Sequence, residues 1–162
     1  MDVLTEAPGW KAIPRVALHV RKAAKRAVSM AGISVQTGAE IAVCLADDAR
    51  VQALNRDWRS KDKPTNVLSF PGASPERISQ ALFLGDIIIA FETVAEEAAS
   101  EGKLLQHHLS HLVVHGVLHL LGYDHMTRDD AERMEHLETM ILASLLIPDP
   151  YHESDPLETE TA

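Results

Sequence analysis

The sequence predicts an α+β domain in which a small mixed sheet of three to four strands packs with about five helices. Three observations lead there. Short β-rich apolar runs fall at 40–46, 65–70 and 83–90, apolar residues at helical spacing fill most of the rest, and the last third of the chain carries helical patterns alone. Residues 14–31 read as the first helix, because Pro14 suits a first turn and Val16, Val20, Ala23, Ala24 and Ala27 recur on one face before Gly32 ends it. Its other face is basic, through Arg21, Lys22, Lys25 and Arg26. The strand at 40–46 is followed by Asp47 and Asp48, either of which can N-cap a helix running to about Trp58. Residues 59–64 are polar and end in proline, so they read as a loop, and Pro71 with Gly72 stops the strand at 65–70. A further loop at 72–80 leads to the strand at 83–90. Helices are expected at about 92–100, 104–121 and 128–146, closed by Pro148 and Pro150.

At 162 residues, the chain is long enough to bury one core without staples, and 46% hydrophobic with 24% charged residues is a soluble globular composition. A single domain is expected over 1–148, followed by an acidic tail at 149–162 whose acids and prolines leave it few apolar groups to anchor and predict mobility. No apolar run approaches the ~18 to 20 residues that cross a bilayer, and the start has no signal-peptide pattern, which makes no membrane partner and a cytoplasmic location the expectation. The one cysteine, Cys44, reads as a buried thiol in a strand. A net charge of −9 argues against non-specific coating of nucleic acid, although local basic groups remain, including Arg56, Arg59, Lys61 and Lys63.

Six of the nine histidines lie between positions 107 and 125. On a helix, His115 and His119 project from one face a turn apart, which lets two imidazoles meet one metal ion. His111 extends the stripe, yet it stands ~12 Å from His119 along the axis, too far for both to ligate one ion through Zn–N bonds of ~2.0 to 2.1 Å. His125 escapes this limit, because Gly122 can end the helix in a left-handed conformation and turn the chain back. The pattern H-x-x-x-H-x-x-G-x-x-H has the spacing of the metzincin, zincin-like metal site. Gly116 stands where that motif has its catalytic glutamate, which separates metal binding from proteolysis. His111 is expected in packing or in a hydrogen bond to a ligand's neighbour. Asp124 is open between a hydrogen bond to a ligand, action on a water and a cap of the turn.

At these histidines, and at Leu54-Asn55, Trp58-Arg59, the run Lys63 to Pro71 and Leu84-Gly85-Asp86-Ile87, the chain resembles the YbeY family of bacterial endoribonucleases. The resemblance implies one zinc ion held by His115, His119 and His125, and a functional role for Arg59. It also implies action on single-stranded RNA in rRNA maturation and ribosome quality control, with rRNA and small-subunit components as partners. Trp58 stands where the family usually has tyrosine. Arg59 then has the chemistry to hold a phosphate by bidentate hydrogen bonds, and the nucleophile is open between water activated at the metal and the RNA's own 2′-hydroxyl. The basic face of the first helix is open between guiding RNA and simple solvation. Two rival readings stand beside this one: a metal hydrolase of another substrate, such as a peptidase, and a non-catalytic ribosome-assembly factor with a structural zinc.

Overall fold

The computed structural model describes residues 1–151; the rest of the expected tail, 152–162, lies outside the described residues. Strands β1 (Asp2–Thr5), β2 (Glu40–Ala46), β3 (Val67–Pro71) and β4 (Phe83–Ala90) form one mixed sheet in the order β1-β2-β4-β3. β1 and β4 each pair parallel with β2, and β3 pairs antiparallel with β4 as an edge strand. Five α-helices are found among the described residues: α1 (Val16–Met30), α2 (Asp48–Arg59), α3 (Phe91–Glu101), α4 (Leu105–Leu120) and α5 (Arg128–Ser144), with short 3-10 turns at Pro8–Ala12 and Pro75–Gln80. None of the described helices is long and apolar enough to cross a membrane.

The apolar run of β4 follows from burial on both faces of the sheet. Ile87 and Ile89 join the larger core with α1, α4 and α5, whereas Ile88 and Ala90 pack with Val51 and Leu54 of α2 on the other side. α4 is buried over most of its surface, with Leu109, Val113, Val117, Leu118 and Leu120 in the core, which marks it as the central helix. It lies close to the sheet at Gly116, where an added Cβ would stand 3.0 Å from Ile87. Gly85 is tighter still: its φ is +141°, and a Cβ there would meet the carbonyl oxygen of Phe70 at 2.4 Å and Leu120 at 2.6 Å. Glycine at these two positions therefore sets how closely β3, β4 and α4 approach.

Besides β3 running through Pro71 and a 3-10 turn at Pro75–Gln80 inside the expected loop, two features differ from the sequence pattern. β1 is not announced by it, since a four-residue edge strand with a mostly exposed face offers little periodicity. Arg59 is the last residue of α2 rather than the first of a loop, because Ser60 adopts φ 57° and returns its N–H to Arg56 O and Asn55 O. Asp47 is the N-cap, accepting from Arg50 N at 2.9 Å.

Candidate metal centre

His115 and His119 occupy successive turns at the C-terminal end of α4. The chain then reverses through a Schellman arrangement: Tyr123 N donates to Leu118 O at 3.0 Å and Gly122 N to His119 O at 3.1 Å, with Gly122 at φ 98°. Tyr123 fixes the turn twice. Its hydroxyl donates to Ala31 O at 2.6 Å, and its carbonyl accepts from His119 Nδ1 at 3.0 Å. His125 is thereby returned to the helix face, and one nitrogen from each of His115, His119 and His125 lies within 4.8 Å of the others.

The donor set fits a metal ion for a reason visible in its hydrogen bonds. His119 Nδ1 faces a carbonyl, which only accepts, so that nitrogen carries the proton and Nε2 keeps a lone pair. His115 Nδ1 faces Glu138 Oε1 at 2.5 Å, which gives His115 the same tautomer. The two Nε2 atoms then face each other at 3.0 Å. Two lone pairs so placed repel unless a positive centre, a proton or a metal ion, lies between them. Burial, reinforced by His115 and His125, pushes the His119 imidazole down to about 4, so His119 is neutral and ready to ligate at neutral pH.

The histidines open into a cleft of about 550 Å³ whose opposite wall is edge strand β3 and Arg59. Arg59 Nη2 donates to Ser69 O at 2.9 Å, and its guanidinium lies 5.5 Å from the centroid of the Phe70 ring. Asp124 lines the same cleft, and its Oδ1 accepts from Met126 N at 3.2 Å, the bond that caps the turn. His111 is buried beside Glu138 and Tyr151 rather than among the three histidines. Arg21, Lys22, Lys25 and Arg26 do not line the cleft: Lys22 borders a small hollow with His107 and Ser110, and Arg26 donates to Ser144 O at 3.3 Å. Cys44 is half-buried in β2, where burial and the neighbouring Glu6 push its thiol up to about 11, so it is no thiolate at neutral pH.

Glu138 and Tyr151 are site neighbours that the sequence pattern did not single out. Glu138 is fully buried; besides His115 it receives the Tyr151 hydroxyl, and His111 Nε2 lies 3.5 Å from its Oε2. Burial alone raises a carboxyl's proton affinity, but the hydrogen bonds from His111 and His115 outweigh it and hold Glu138 at about 2. A signal for Glu138 exists in the sequence, since it falls on the apolar stripe of α5 with Met134, Ile141 and Leu142.

Comparison with known proteins bears on this arrangement. The fold is similar to that of a Thermotoga maritima protein known from its solution structure, with a TM-score of 0.54, 24% identity, and coverage of 96% of this chain and 97% of that one. The endoribonuclease YbeY of Azorhizobium caulinodans is 54% identical over 152 residues, covering 93% of this chain and 95% of that protein. The endoribonuclease YbeY of Paramagnetospirillum magneticum is 51% identical over 152 residues, covering 90% and 92% respectively. The sequence pattern described as Endoribonuclease YbeY matches residues 11–146, a span that takes in the histidine turn, β3 and Arg59, and the chain belongs to that family.

Proposed function

We propose that the chain cleaves single-stranded RNA with one zinc ion held by His115, His119 and His125, and that it does so in the cytoplasm during rRNA maturation and ribosome quality control. The observation that carries this reading is the pairing of three convergent imidazoles with Arg59 across one open cleft. Three histidines leave a coordination position free, as catalytic zinc sites do and closed structural sites do not. When bound there, the ion supplies positive charge that polarises a phosphoryl oxygen. Arg59 spends one of its five N–H donors on Ser69 O, which fixes the guanidinium and leaves a fork for phosphate oxygens. Trp58 beside it is 73% exposed, with its ring against Phe70 at 6.5 Å, a surface on which an unpaired base can stack. The ribosomal setting and small-subunit partners rest on the family resemblance.

The peptidase reading is disfavoured by three details of the cleft. A glutamate at position 116 meets Ile87 rather than the cleft. β3 is also a poor template for an extended peptide. Asn66 and Gly72 bond inward to β4, so the alternation of an antiparallel ladder turns the backbone groups of Val67, Ser69 and Pro71 outward. Of these, Ser69 O is occupied by Arg59 and Pro71 has no N–H to offer.

Arg59→Lys tests the reading, because it keeps the charge and removes the fork. Cleavage of a single-stranded RNA oligonucleotide is expected to fall roughly 10² to 10³-fold in kcat, the cost of losing one preorganised donor to developing charge, with zinc content unchanged. Undiminished RNA cleavage by that variant, or robust peptide cleavage by a wild-type protein inert to RNA, would refute the assignment.

A further inference from the structure

We propose that Glu138 is a positioning residue that dictates which nitrogen His115 presents to the metal, with Tyr151 holding its carboxylate in place. The proposal rests on His115 being a metal ligand. A fully buried carboxylate on the apolar stripe of α5 is a poor choice for packing alone, since a buried charge is costly to desolvate and an apolar residue of similar volume serves a core as well or better. Its partners account for its presence. Oε1 accepts from His115 Nδ1 at 2.5 Å, and Oε2 accepts from the Tyr151 hydroxyl, with His111 Nε2 3.5 Å away. An ionised carboxylate has no hydrogen to give, so every partner must donate to it. That requirement places the proton of His115 on Nδ1 and leaves Nε2, the atom 3.0 Å from His119 Nε2, as the ligating one.

The two helical histidines are thus set by different devices. His119 is held by a backbone carbonyl, Tyr123 O, which orients the ring without adding net charge. His115 is held by a carboxylate, the kind of outer partner that fixes both the tautomer and the ring orientation of a metal-binding histidine. The same carboxylate explains why His111, on the same stripe of α4, stays out of the centre: its Nε2 is turned to Glu138 and to Tyr151 Oη, 3.3 Å away. Tyr151 arrives from the segment after α5, whose turn is pinned by Asp149 Oδ1 accepting from Tyr151 N at 2.9 Å. The segment from Asp149 to Tyr151 therefore supports the metal centre.

The test uses the full chain with Glu138→Gln and Tyr151→Phe. Glutamine can present either its carbonyl oxygen or its amide to His115 Nδ1, so it keeps the shape while removing both the charge and the demand that His115 donate. Zinc affinity is measured by competition with a chromophoric chelator, His115 protonation by nitrogen-15 shifts of the zinc-free protein, and folding by circular dichroism. Glu138→Gln is expected to fold, to bind zinc roughly 10 to 100-fold more weakly, the range for loss of an outer partner, and to show a mixture of His115 tautomers. Tyr151→Phe is expected to weaken binding in the same direction by less. A folded Glu138→Gln with wild-type zinc affinity and an unchanged His115 tautomer overturns the proposal; if that variant does not fold, wild-type affinity in Tyr151→Phe overturns it. Wild-type protein that takes up no zinc would instead refute the metal reading itself.

Discussion

His119→Ala is expected to abolish zinc retention and RNA cleavage while leaving a folded protein that is as stable without metal as the wild type, or more so. Losing an outer partner of a metal ligand costs roughly 10 to 100-fold in affinity, and losing the ligand itself must exceed that. The core does not depend on this side chain, because the neighbouring Leu118 and Leu120 carry the burial of that turn. The imidazole is moreover a cost to the metal-free fold, since its Nε2 faces that of His115 and burial has driven its pKa from 6.5 to about 4. The sign of the linkage follows. As pH falls below 6.5 the unfolded chain takes up this proton first, so stability present above pH 6.5 is lost as pH drops through about 4. His119→Ala removes that loss. Chemical denaturation of zinc-free wild type and variant across this window is expected to show the shallower pH dependence in the variant, and a steeper one would contradict the assignment.

Gly85→Ala is expected to damage the fold and the cleft together. A Cβ at this position would overlap the Phe70 carbonyl oxygen, which is backbone and cannot swing aside as a side chain can. β3 must then separate from β4, and Ser69, whose carbonyl anchors Arg59, moves with it. A steric conflict of this kind costs about 3 kcal/mol or more, equivalent to a fall in Tm of roughly 6 to 12 °C for a domain of this size. Gly32→Ala is the comparison, for its φ is +71° but nothing lies within 4 Å of the new Cβ. It should cost only the ~1 to 2 kcal/mol of placing an L-residue in the left-handed region. Thermal melts of the two variants distinguish the contributions; equal effects would mean that close approach at Gly85 is not what fixes the sheet.

The histidine turn is legible in the sequence because each step is local: helical spacing pairs His115 with His119, axial rise excludes His111, and Gly122 permits the reversal that returns His125. α2, β4 and the cap at Asp47 are local as well, and their bounds agree with the pattern to within a residue or two. What the pattern conceals depends on tertiary neighbours. Glu138 stands out as an acid on the apolar stripe of α5, but its partners do not show until α4 is laid beside it, and Tyr151 reads as part of an acidic tail until its hydroxyl is seen on Glu138. Arg59 reads as a loop cation because nothing local announces that Ser60 closes the helix in a left-handed conformation. The basic residues Arg21, Lys22, Lys25 and Arg26 form a real helix face, but one that lies apart from the cleft.

The most direct measurement follows RNA cleavage and zinc content in one preparation, with wild type and His119→Ala purified in parallel so that a contaminating ribonuclease reveals itself in both. Wild-type protein stripped by chelation should lose cleavage of single-stranded RNA and regain it on addition of one equivalent of zinc, while His119→Ala neither retains the ion nor cleaves. Cleavage that survives stripping, or that is equal in wild type and variant, would contradict a catalytic ion held by His115, His119 and His125.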